Sequence, residues 1–311
     1  MITRTDVETA AARIAGRVRR TPVMAVEPDT FGTDLWWKLE CLQHTGSFKV
    51  RGAHNRILAA AESGGLTDAG VVAASGGNAG LAVAYVAQRL GIAAEVYVPT
   101  TAPEFKVASL RELGATVRQA GDQYADAYDA ALARAGETGA LFCHAYDQPE
   151  ICAGQGTIGL ELAEDVPGLD TVVLAVGGGG LMAGVAAALE GRAKVVGVEP
   201  ETIPTLRQAL RAGRPVDVDV SGIAADSLGA RRLGEIGYDV AVRTGVASLL
   251  VPEAAILDAR RLLWQRWRIV VEHGAAVALA ALLTRAYRPQ PGERVAVLLC
   301  GANTSPTDLA D

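Results

Sequence analysis

Short apolar runs rich in β-branched residues alternate along the chain with longer, alanine-rich stretches of helical character. Runs of this kind, each closed by a Gly, Pro, Ser or Cys, are typical of strands buried in a parallel sheet, and the longer stretches are typical of the helices that cover one. The predicted strands span residues 71–74, 95–98, 172–176, 195–198 and 295–299. The predicted helices begin near Gly77, Pro103, Asp122, Gly180, Pro204 and Pro252. The pattern therefore predicts an α/β protein in which mostly parallel sheets are flanked by helices.

The stretch from about residue 71 to residue 142 holds three or four compact strand-helix units of its own. A stretch that can build a separate core is typical of an inserted domain. We therefore expect two domains. The large one is formed by residues 1–67 and 147–311, and the small one, residues 68–146, is inserted into it.

The composition argues against a nucleic acid or a membrane as a partner. Of the 311 residues, 50% are hydrophobic, which is enough to bury a large core. The 29 Lys and Arg and 35 Asp and Glu give a net charge of -6 and form no basic stripe, which argues against a nucleic-acid partner. The longest apolar stretch, residues 171–189, contains four consecutive glycines and lacks aromatic or basic flanks, so we expect no membrane span.

The cysteines and the N-terminal stretch bear on the compartment. Four cysteines stand at irregular spacings without a Cys-x-x-Cys pair, which predicts neither a disulfide framework nor a structural zinc site. The first twenty residues are charged and amphipathic, and they lack the apolar segment and cleavage site of a signal peptide. We expect reduced thiols and a cytoplasmic location.

Polar or glycine-rich residues directly follow four of the predicted strands. They are Ser75 to Asn78, Gly177 to Gly180, Glu199, and Cys300 to Asn303. Ligands of open α/β sheets bind outside the carboxyl ends of the strands. We therefore expect these loops to converge on one crevice.

The four consecutive glycines lead directly from a predicted strand into an apolar helix. Backbone N–H groups of such a loop can wrap a phosphate at the positive end of the helix dipole, although a tight turn with close helix packing also calls for glycine. The loop lacks the Gly-x-Gly-x-x-Gly spacing of a dinucleotide site, but Glu199 stands near the distance of the acidic residue in such sites. The loop therefore argues against a nicotinamide-binding site without excluding one, and it favours the phosphate of a smaller cofactor.

A lysine candidate lies in Thr45-Gly46-Ser47-Phe48-Lys49, at the predicted start of a helix, behind a glycine and beside an aromatic residue. A helix N-terminus lowers the pKa of a lysine, and a lowered pKa makes the amine a nucleophile and a general base. The alternative is a solvated surface lysine. For the Ser75 loop, a second anion site and an ordinary helix cap are equally compatible with the residues.

The segments "TGSFKVRGA", "SGGNAG", "GQGT", "VGGGGL" and "LLCGAN", in this order, resemble the fold-type-II pyridoxal-phosphate-dependent enzymes of the serine/threonine dehydratase (ammonia-lyase) family. The resemblance covers nearly the whole chain. It implies a tryptophan-synthase-β-like fold, with the cofactor in the large domain and a substrate loop in the small one. It also implies a homodimer that converts L-threonine or L-serine into a 2-oxo acid and ammonia by α,β-elimination.

Residue by residue, the resemblance implies that Lys49 carries the cofactor and removes the substrate Cα proton. Phe48 would lie against the pyridine ring and Asn78 would bind the phenolic oxygen. The phosphate would be held by Gly177, Gly178, Gly179 and Gly180, and Cys300 would face the ring nitrogen. The substrate carboxylate pocket would be lined by Ser75, Gly76, Gly77 and Ala79.

Two departures from the family pattern concern the substrate side. Serine racemases of the family carry a second serine where this chain has Gly76, so the resemblance favours elimination over racemisation. Histidines replace two common prolines at His44 and His273. One interpretation is that His44 and His273 bind a second polar group of the substrate, such as the β-carboxylate of 3-hydroxyaspartate. The other is that both have only a structural role. His54 and His144 have a weaker claim to the site.

Glu199 and Thr205 match positions that hold a cation in relatives. A second carboxylate would suit a hard divalent ion, and Thr205 is not an acid. The resemblance therefore implies a monovalent cation such as potassium, if any ion binds.

Three alternatives to threonine or serine dehydration stay open at this point. Dehydration of 3-hydroxyaspartate and racemisation or β-replacement use the same lysine, asparagine and glycine framework. The third is a catalytically idle amino-acid sensor, against which the intact Lys49, Asn78 and Cys300 argue.

Overall fold

The structure, a computed structural model, describes residues 1–309 apart from the side chains of Pro28 and Asp29. Its strands are β1 Val23–Val26, β2 Asp34–Lys38, β3 Val71–Ala74, β4 Ala94–Val98, β5 Thr116–Gln119, β6 Leu141–Cys143, β7 Thr171–Ala175, β8 Lys194–Pro200, β9 Ala247–Val251 and β10 Arg294–Leu298. Its helices are α1 Arg4–Ile14, α2 Pro28–Phe31, α3 Lys49–Glu62, α4 Asn78–Leu90, α5 Glu104–Glu112, α6 Tyr124–Thr138, α7 Pro149–Asp165, α8 Gly180–Leu189, α9 Thr205–Ala212, α10 Ala225–Leu228, α11 Glu235–Thr244, α12 Glu253–Trp267 and α13 His273–Leu283.

The larger sheet has six strands in the order β1-β2-β10-β7-β8-β9. All its pairs are parallel except β1 with β2. Every residue of β7 is buried, as are all ten residues of α8, which packs on α7. A helix that is apolar all round belongs in a core, so this sheet and its helices form the main hydrophobic core of the chain.

The smaller sheet has four parallel strands in the order β5-β4-β3-β6. Its central strand, β3, is completely buried, whereas the edge strand β5 is largely exposed. The four strands fall within the predicted small domain, and those of the larger sheet fall outside it. The domain division itself stays a prediction, and the last two residues of its large part lie outside the described residues.

The mostly parallel α/β architecture predicted from the sequence is confirmed. The five predicted strands are present, and each predicted helix start lies within two residues of an observed one. The apolar stretch 171–189 is divided between β7 and α8. Among the described residues, no helix combines the length and hydropathy that crossing a membrane requires.

Candidate active site

A cleft of about 820 Å³ contains every residue that the sequence predicted for the cofactor and the substrate. Those residues are Phe48, Lys49, Ser75, Gly76, Gly77, Asn78, Ala79, Gly177, Gly178, Gly179, Gly180 and Cys300. Apart from Phe48 and Lys49 at the start of α3, they follow strands of both sheets. Three of the four loops predicted to converge therefore meet in the cleft, and Glu199 is not among its lining residues.

Lys49 is the first residue of α3, as the sequence predicted. Its Nζ donates a hydrogen bond to the carbonyl of Ala145 at 2.7 Å and lies 5.1 Å from the centre of the Phe48 ring. Burial lowers the pKa of Lys49 to about 8, because the ammonium form loses its hydration. Burial, and not the helix terminus that the sequence suggested, is thus the largest cause of the lowered pKa, which gives the amine a neutral fraction at physiological pH.

A buried ion cluster holds α3 in place two residues beyond Lys49. The guanidinium of Arg51 contacts Glu40 and Glu161, each at 2.7 Å, and Lys38 contacts Glu161 at 2.6 Å. Arg51, Glu40 and Lys38 are fully buried. Buried charges of this kind tolerate little displacement, because each ion depends on its partners for the interactions that water would supply. The cluster therefore fixes the start of α3 relative to β2 and α7.

The glycine tetrad forms a cradle at the N-terminus of α8. Gly179 caps the helix with a φ of 88°, a conformation that favours glycine. A Cβ atom at Gly178 would overlap the ring of Tyr146, and one at Gly180 would overlap the Tyr146 carbonyl. Close packing on Tyr146 thus requires glycine at positions 178 and 180. The backbone of the loop lies at the positive end of the helix dipole, where an anion is stabilised.

Asn78, the first residue of α4, lies in a chain of side-chain hydrogen bonds. Its Nδ2 donates to the Oε1 and Oε2 atoms of Glu272 at 2.9 and 3.1 Å, and its Oδ1 accepts from Nδ2 of Asn303 at 2.6 Å. Glu272 lines the cleft, and burial raises its pKa to about 7. The Asn78 amide is therefore held in one orientation from both sides.

Cys300 follows β10 and faces the cleft from the larger sheet. Its carbonyl accepts from the backbone N–H of Phe48 at 3.2 Å, and the next residue, Gly301, pairs with Ser47 in an isolated β-bridge. Burial raises the pKa of the Cys300 thiol well above its usual range. The group that Cys300 offers to the cleft is thus a neutral thiol.

The Ser75 loop lies at the N-terminus of α4. Ser75 Oγ accepts a hydrogen bond from the backbone N–H of Gly77 at 3.2 Å, but Gly77 is the N-cap of α4 and no side chain caps the helix, so the Ser75 cap suggested by the sequence is absent. A Cβ at Gly80 would overlap the Ser75 carbonyl, so glycine is required for the helix to begin this close to the strand. The loop offers backbone N–H groups at a helix terminus, which suit a carboxylate.

Glu199 and Thr205 lie together behind the glycine cradle and do not line the cleft. Thr205 Oγ1 donates to the Gly177 carbonyl at 2.6 Å and to Glu199 at 3.1 Å. Glu199 also accepts from the backbone N–H groups of Leu206 and Arg207. Within residues 1–309, no group of three or more His, Cys, Asp or Glu side chains is arranged to hold a metal ion. The cation remains a prediction.

Three of the histidines considered from the sequence differ in their position. His44 stacks on Tyr85 with a centroid distance of 5.2 Å, and His273 Nε2 accepts from Arg260 at 2.8 Å. Neither lines the cleft, which supports the structural alternative for both. His144, whose claim to the site was weaker in the sequence, does line the cleft.

The orientation of His144 follows from its hydrogen bonds. Its Nδ1 accepts from the backbone N–H groups of Tyr146 and Asp147 at 3.1 and 2.8 Å, which leaves Nε2 to carry the ring proton. Burial lowers the pKa of His144 to about 4, so the ring is neutral near pH 7. No histidine motif in the sequence indicated that His144 would line the cleft.

The fold and the cleft define a class: two-sheet α/β proteins that bring a buried lysine and a glycine anion cradle into one site. The family model described as "Pyridoxal-phosphate dependent enzyme" matches residues 14–301. This chain belongs to that family, as the sequence motifs predicted.

Individual relatives cover nearly the whole chain. L-threonine ammonia-lyase of Thermotoga maritima is 38% identical over 308 residues, which are 97% of this chain and 76% of that protein. Phenylserine dehydratase of Ralstonia pickettii is 37% identical over 305 residues, covering 96% and 92%. The structure of maize serine racemase has a TM-score of 0.92 and 31% identity, covering 98% of this chain and 94% of that one.

The residues in the cleft fit pyridoxal phosphate. The four glycines line the cleft at the N-terminus of α8 and suit the phosphate, and the buried Lys49 amine suits the aldehyde carbon. The neutral Cys300 thiol suits an unprotonated ring nitrogen, because a thiol does not hold that nitrogen protonated as a carboxylate does.

Proposed function

We propose that the protein is a pyridoxal-phosphate-dependent ammonia-lyase that converts a β-hydroxy amino acid of the threonine and serine type into a 2-oxo acid and ammonia. The observation that carries the proposal is that a buried Lys49 amine with a lowered pKa, the glycine cradle and the neutral Cys300 thiol line one cleft. The relationship to enzymes named ammonia-lyase and dehydratase supports the same reaction.

Bound pyridoxal phosphate supplies an electron sink that makes the Cα–H bond of an attached amino acid acidic. Lys49 is the residue we assign to the Cα proton, since a pKa of about 8 gives the amine a substantial neutral fraction at physiological pH. When the Cα proton leaves to Lys49 and the β-hydroxyl leaves as water, an enamine is released. Its hydrolysis, through the imine tautomer, consumes one water and gives the oxo acid and ammonia.

We assign the substrate carboxylate to the N-terminus of α4. Ser75, Gly76, Gly77 and Ala79 lie there, and the backbone N–H groups of a helix terminus stabilise an anion without a cationic side chain. Asn78 stands beside this loop with its amide oriented by Glu272 and Asn303. We assign its donor group to the phenolic oxygen of the cofactor.

The glycine at position 76 favours elimination over racemisation. A racemase needs an acid on the face of Cα opposite the lysine, and Gly76 has no side chain to offer one. Neutral Cys300 favours elimination in addition, because an unprotonated ring nitrogen accepts less carbanion charge and the β-leaving group departs sooner. We therefore place racemisation and β-replacement below elimination.

The finer expectations of the sequence are part of this proposal. They are a cytoplasmic homodimer, a small domain of residues 68–146 that carries the substrate loop, activity on serine as well as threonine, and a monovalent cation near Glu199 and Thr205.

The proposal is tested by assaying 2-oxo acid from L-threonine and L-serine with the cofactor-loaded enzyme. We expect turnover by the wild type and a loss of about a hundredfold or more in Lys49→Ala, because the general base is removed. The matched control is Lys194→Ala, which removes an exposed lysine at the start of β8 and should leave the rate unchanged. Equal rates for Lys49→Ala and the wild type would contradict the proposal.

A further inference from the structure

Four aromatic rings stand in a row along one side of the cleft, and the reaction proposed above does not use them. We call Tyr124, Tyr128, His144 and Tyr146 the aromatic wall; all four line the cleft. Successive centroids are 6.1, 5.7 and 4.6 Å apart. These spacings are those of favourable tilted and edge-to-face contacts, so each ring fixes the next.

The wall leads from the mouth of the cleft to the glycine cradle. Tyr124 and Tyr128 lie one turn apart on α6, and the ring of Tyr124 is 50% exposed. Tyr146 at the other end packs on Gly178 and donates its hydroxyl to the Arg232 carbonyl at 3.2 Å. The amine of Lys49 contacts the Ala145 carbonyl, between His144 and Tyr146, so an amino acid bound to the cofactor beside Lys49 would lie next to these rings.

The wall is uncharged. His144 is neutral for the reasons given above, and burial raises the pKa of the Tyr124, Tyr128 and Tyr146 hydroxyls. Apolar side chains, Val220 and Leu228, line the same cleft from the segment between α9 and α11. The cleft thus offers a flat apolar group contacts from both the aromatic wall and this segment.

Two cations at the cleft mouth are already paired. Lys106 contacts Asp226 across the mouth, and Arg232 lies 3.3 Å from Asp217 and 3.7 Å from Glu235. Arg231 also lines the cleft and forms no ion pair within the described residues. The aromatic wall, and not these charges, is therefore the feature that favours an uncharged β-substituent.

We propose that the aromatic wall selects the β-substituent of the substrate and that the enzyme accepts β-aryl-β-hydroxy amino acids, with 3-phenylserine as the simplest member. This inference rests on the proposed elimination and deepens it. The reaction removes water across Cα and Cβ, and hydrolysis of the enamine gives phenylpyruvate and ammonia. Threonine, whose β-substituent is a methyl group, leaves most of the wall uncovered.

The test compares kcat/KM for L-threo-3-phenylserine and L-threonine in the holoenzyme. We expect phenylserine to be used at least as efficiently as threonine by the wild type. In Tyr124→Ala the ratio of the two kcat/KM values should fall by roughly threefold to tenfold, the effect of losing one aromatic contact. Tyr124 is half exposed, so its truncation leaves no cavity in a core. Phe105→Ala is the matched control; Phe105 is 69% exposed, does not line the cleft, and should leave the ratio unchanged.

A binding measurement separates recognition from chemistry. L-phenylalanine and L-2-aminobutyrate lack the β-hydroxyl, and calorimetric titration of the holoenzyme should show tighter binding of L-phenylalanine, with the preference reduced in Tyr124→Ala. Turnover of threonine without turnover of phenylserine, or an unchanged ratio in Tyr124→Ala, would overturn the inference while leaving the elimination intact. If neither substrate yields an oxo acid, the proposed function fails, and the titration alone then decides whether the wall recognises aryl groups.

Discussion

The side-chain amide of Asn78 donates to both carboxylate oxygens of Glu272, at 2.9 and 3.1 Å. Asn78 begins α4 beside the four-stranded sheet, and Glu272 precedes α13 in the main core, so the contact links the two halves of the cleft. Glu272 is almost completely buried and its pKa is raised to about 7. The orientation of a predicted cofactor-binding side chain is thus coupled to a buried titratable group.

This coupling predicts a pH effect on stability. Glu272 keeps its proton in the folded chain up to about pH 7, whereas the unfolded chain releases it near 4.5. Its contribution to the free energy of unfolding should fall as pH rises between these values, by up to about 1.4 kcal/mol per pH unit. In Glu272→Gln that part of the decline should disappear.

The measurement is urea unfolding of the cofactor-free protein at several pH values. At each pH, the free energy of unfolding of Glu272→Gln is subtracted from that of the wild type. The difference is needed because buried His54 and His144, whose pKa values are lowered to about 4, contribute with the opposite sign. Glu164→Gln, at an exposed position, is the control. Parallel wild-type and Glu272→Gln curves would show that Glu272 titrates normally.

Lys49 predicts the pH dependence of cofactor loading. Only the neutral amine attacks the aldehyde, and the Lys49 pKa is lowered to about 8. The rate at which the cofactor-free protein takes up pyridoxal phosphate should rise with pH below about 8 and level off above it. A rate that continues to rise toward the ordinary lysine value of 10.5 would contradict the burial of this amine.

The glycine cradle predicts a loss of cofactor affinity in Gly178→Ala. The new methyl group would overlap the Tyr146 ring, so either the loop or the ring must move. We expect the Kd for pyridoxal phosphate to rise about tenfold or more. Gly136→Ala is the control, since Gly136 lies within α6 with open space around it and should leave the affinity unchanged.

The buried ion cluster predicts a large effect on stability. Arg51→Ala would leave Glu40 buried without its 2.7 Å partner, which should cost about 3 to 5 kcal/mol in the free energy of unfolding. The exposed pair of Arg111 and Glu104 is the comparison, and Arg111→Ala should cost less than about 1 kcal/mol. Chemical denaturation measures both. A similar small cost for the two variants would mean that the cluster relaxes or hydrates.

Much of the site could be predicted because its residues follow strands with strong local signals. The loops after β3, β7 and β10 each follow a buried apolar run, and the carboxyl ends of parallel strands gather ligands. The motif resemblance then supplied the individual roles. Each of these residues lines the cleft, as the sequence predicted, and their individual roles remain proposals.

The residues that sequence reasoning missed depend on tertiary contacts. His144 and Tyr146 follow β6, a strand of three residues that is too short for a periodic signal. Glu272 precedes a wholly apolar helix, and an acidic residue at that position is also what an ordinary helix start shows. Its burial against Asn78 follows only from packing.

The strands that were missed have similar explanations. β5 is an edge strand that is mostly exposed, so it lacks a buried apolar run. β2 ends in Lys38, which is buried although it is charged. Its burial could not be predicted because its partner, Glu161, lies far along the chain. His44 was considered for the site because it stands near Lys49 in the sequence. In the structure it stacks on Tyr85 of α4 instead.

The most direct test of the central claim is the chemical location of the cofactor. Borohydride reduction of the pyridoxal-phosphate-loaded enzyme, followed by proteolysis and mass spectrometry, identifies the lysine that bears the pyridoxyl group. We predict that the label is found on Lys49, and that Lys38, Lys106 and Lys194 are free of it. Label on another lysine, or no label in an enzyme that still forms the oxo acid, would contradict the assignment of this cleft as the catalytic site.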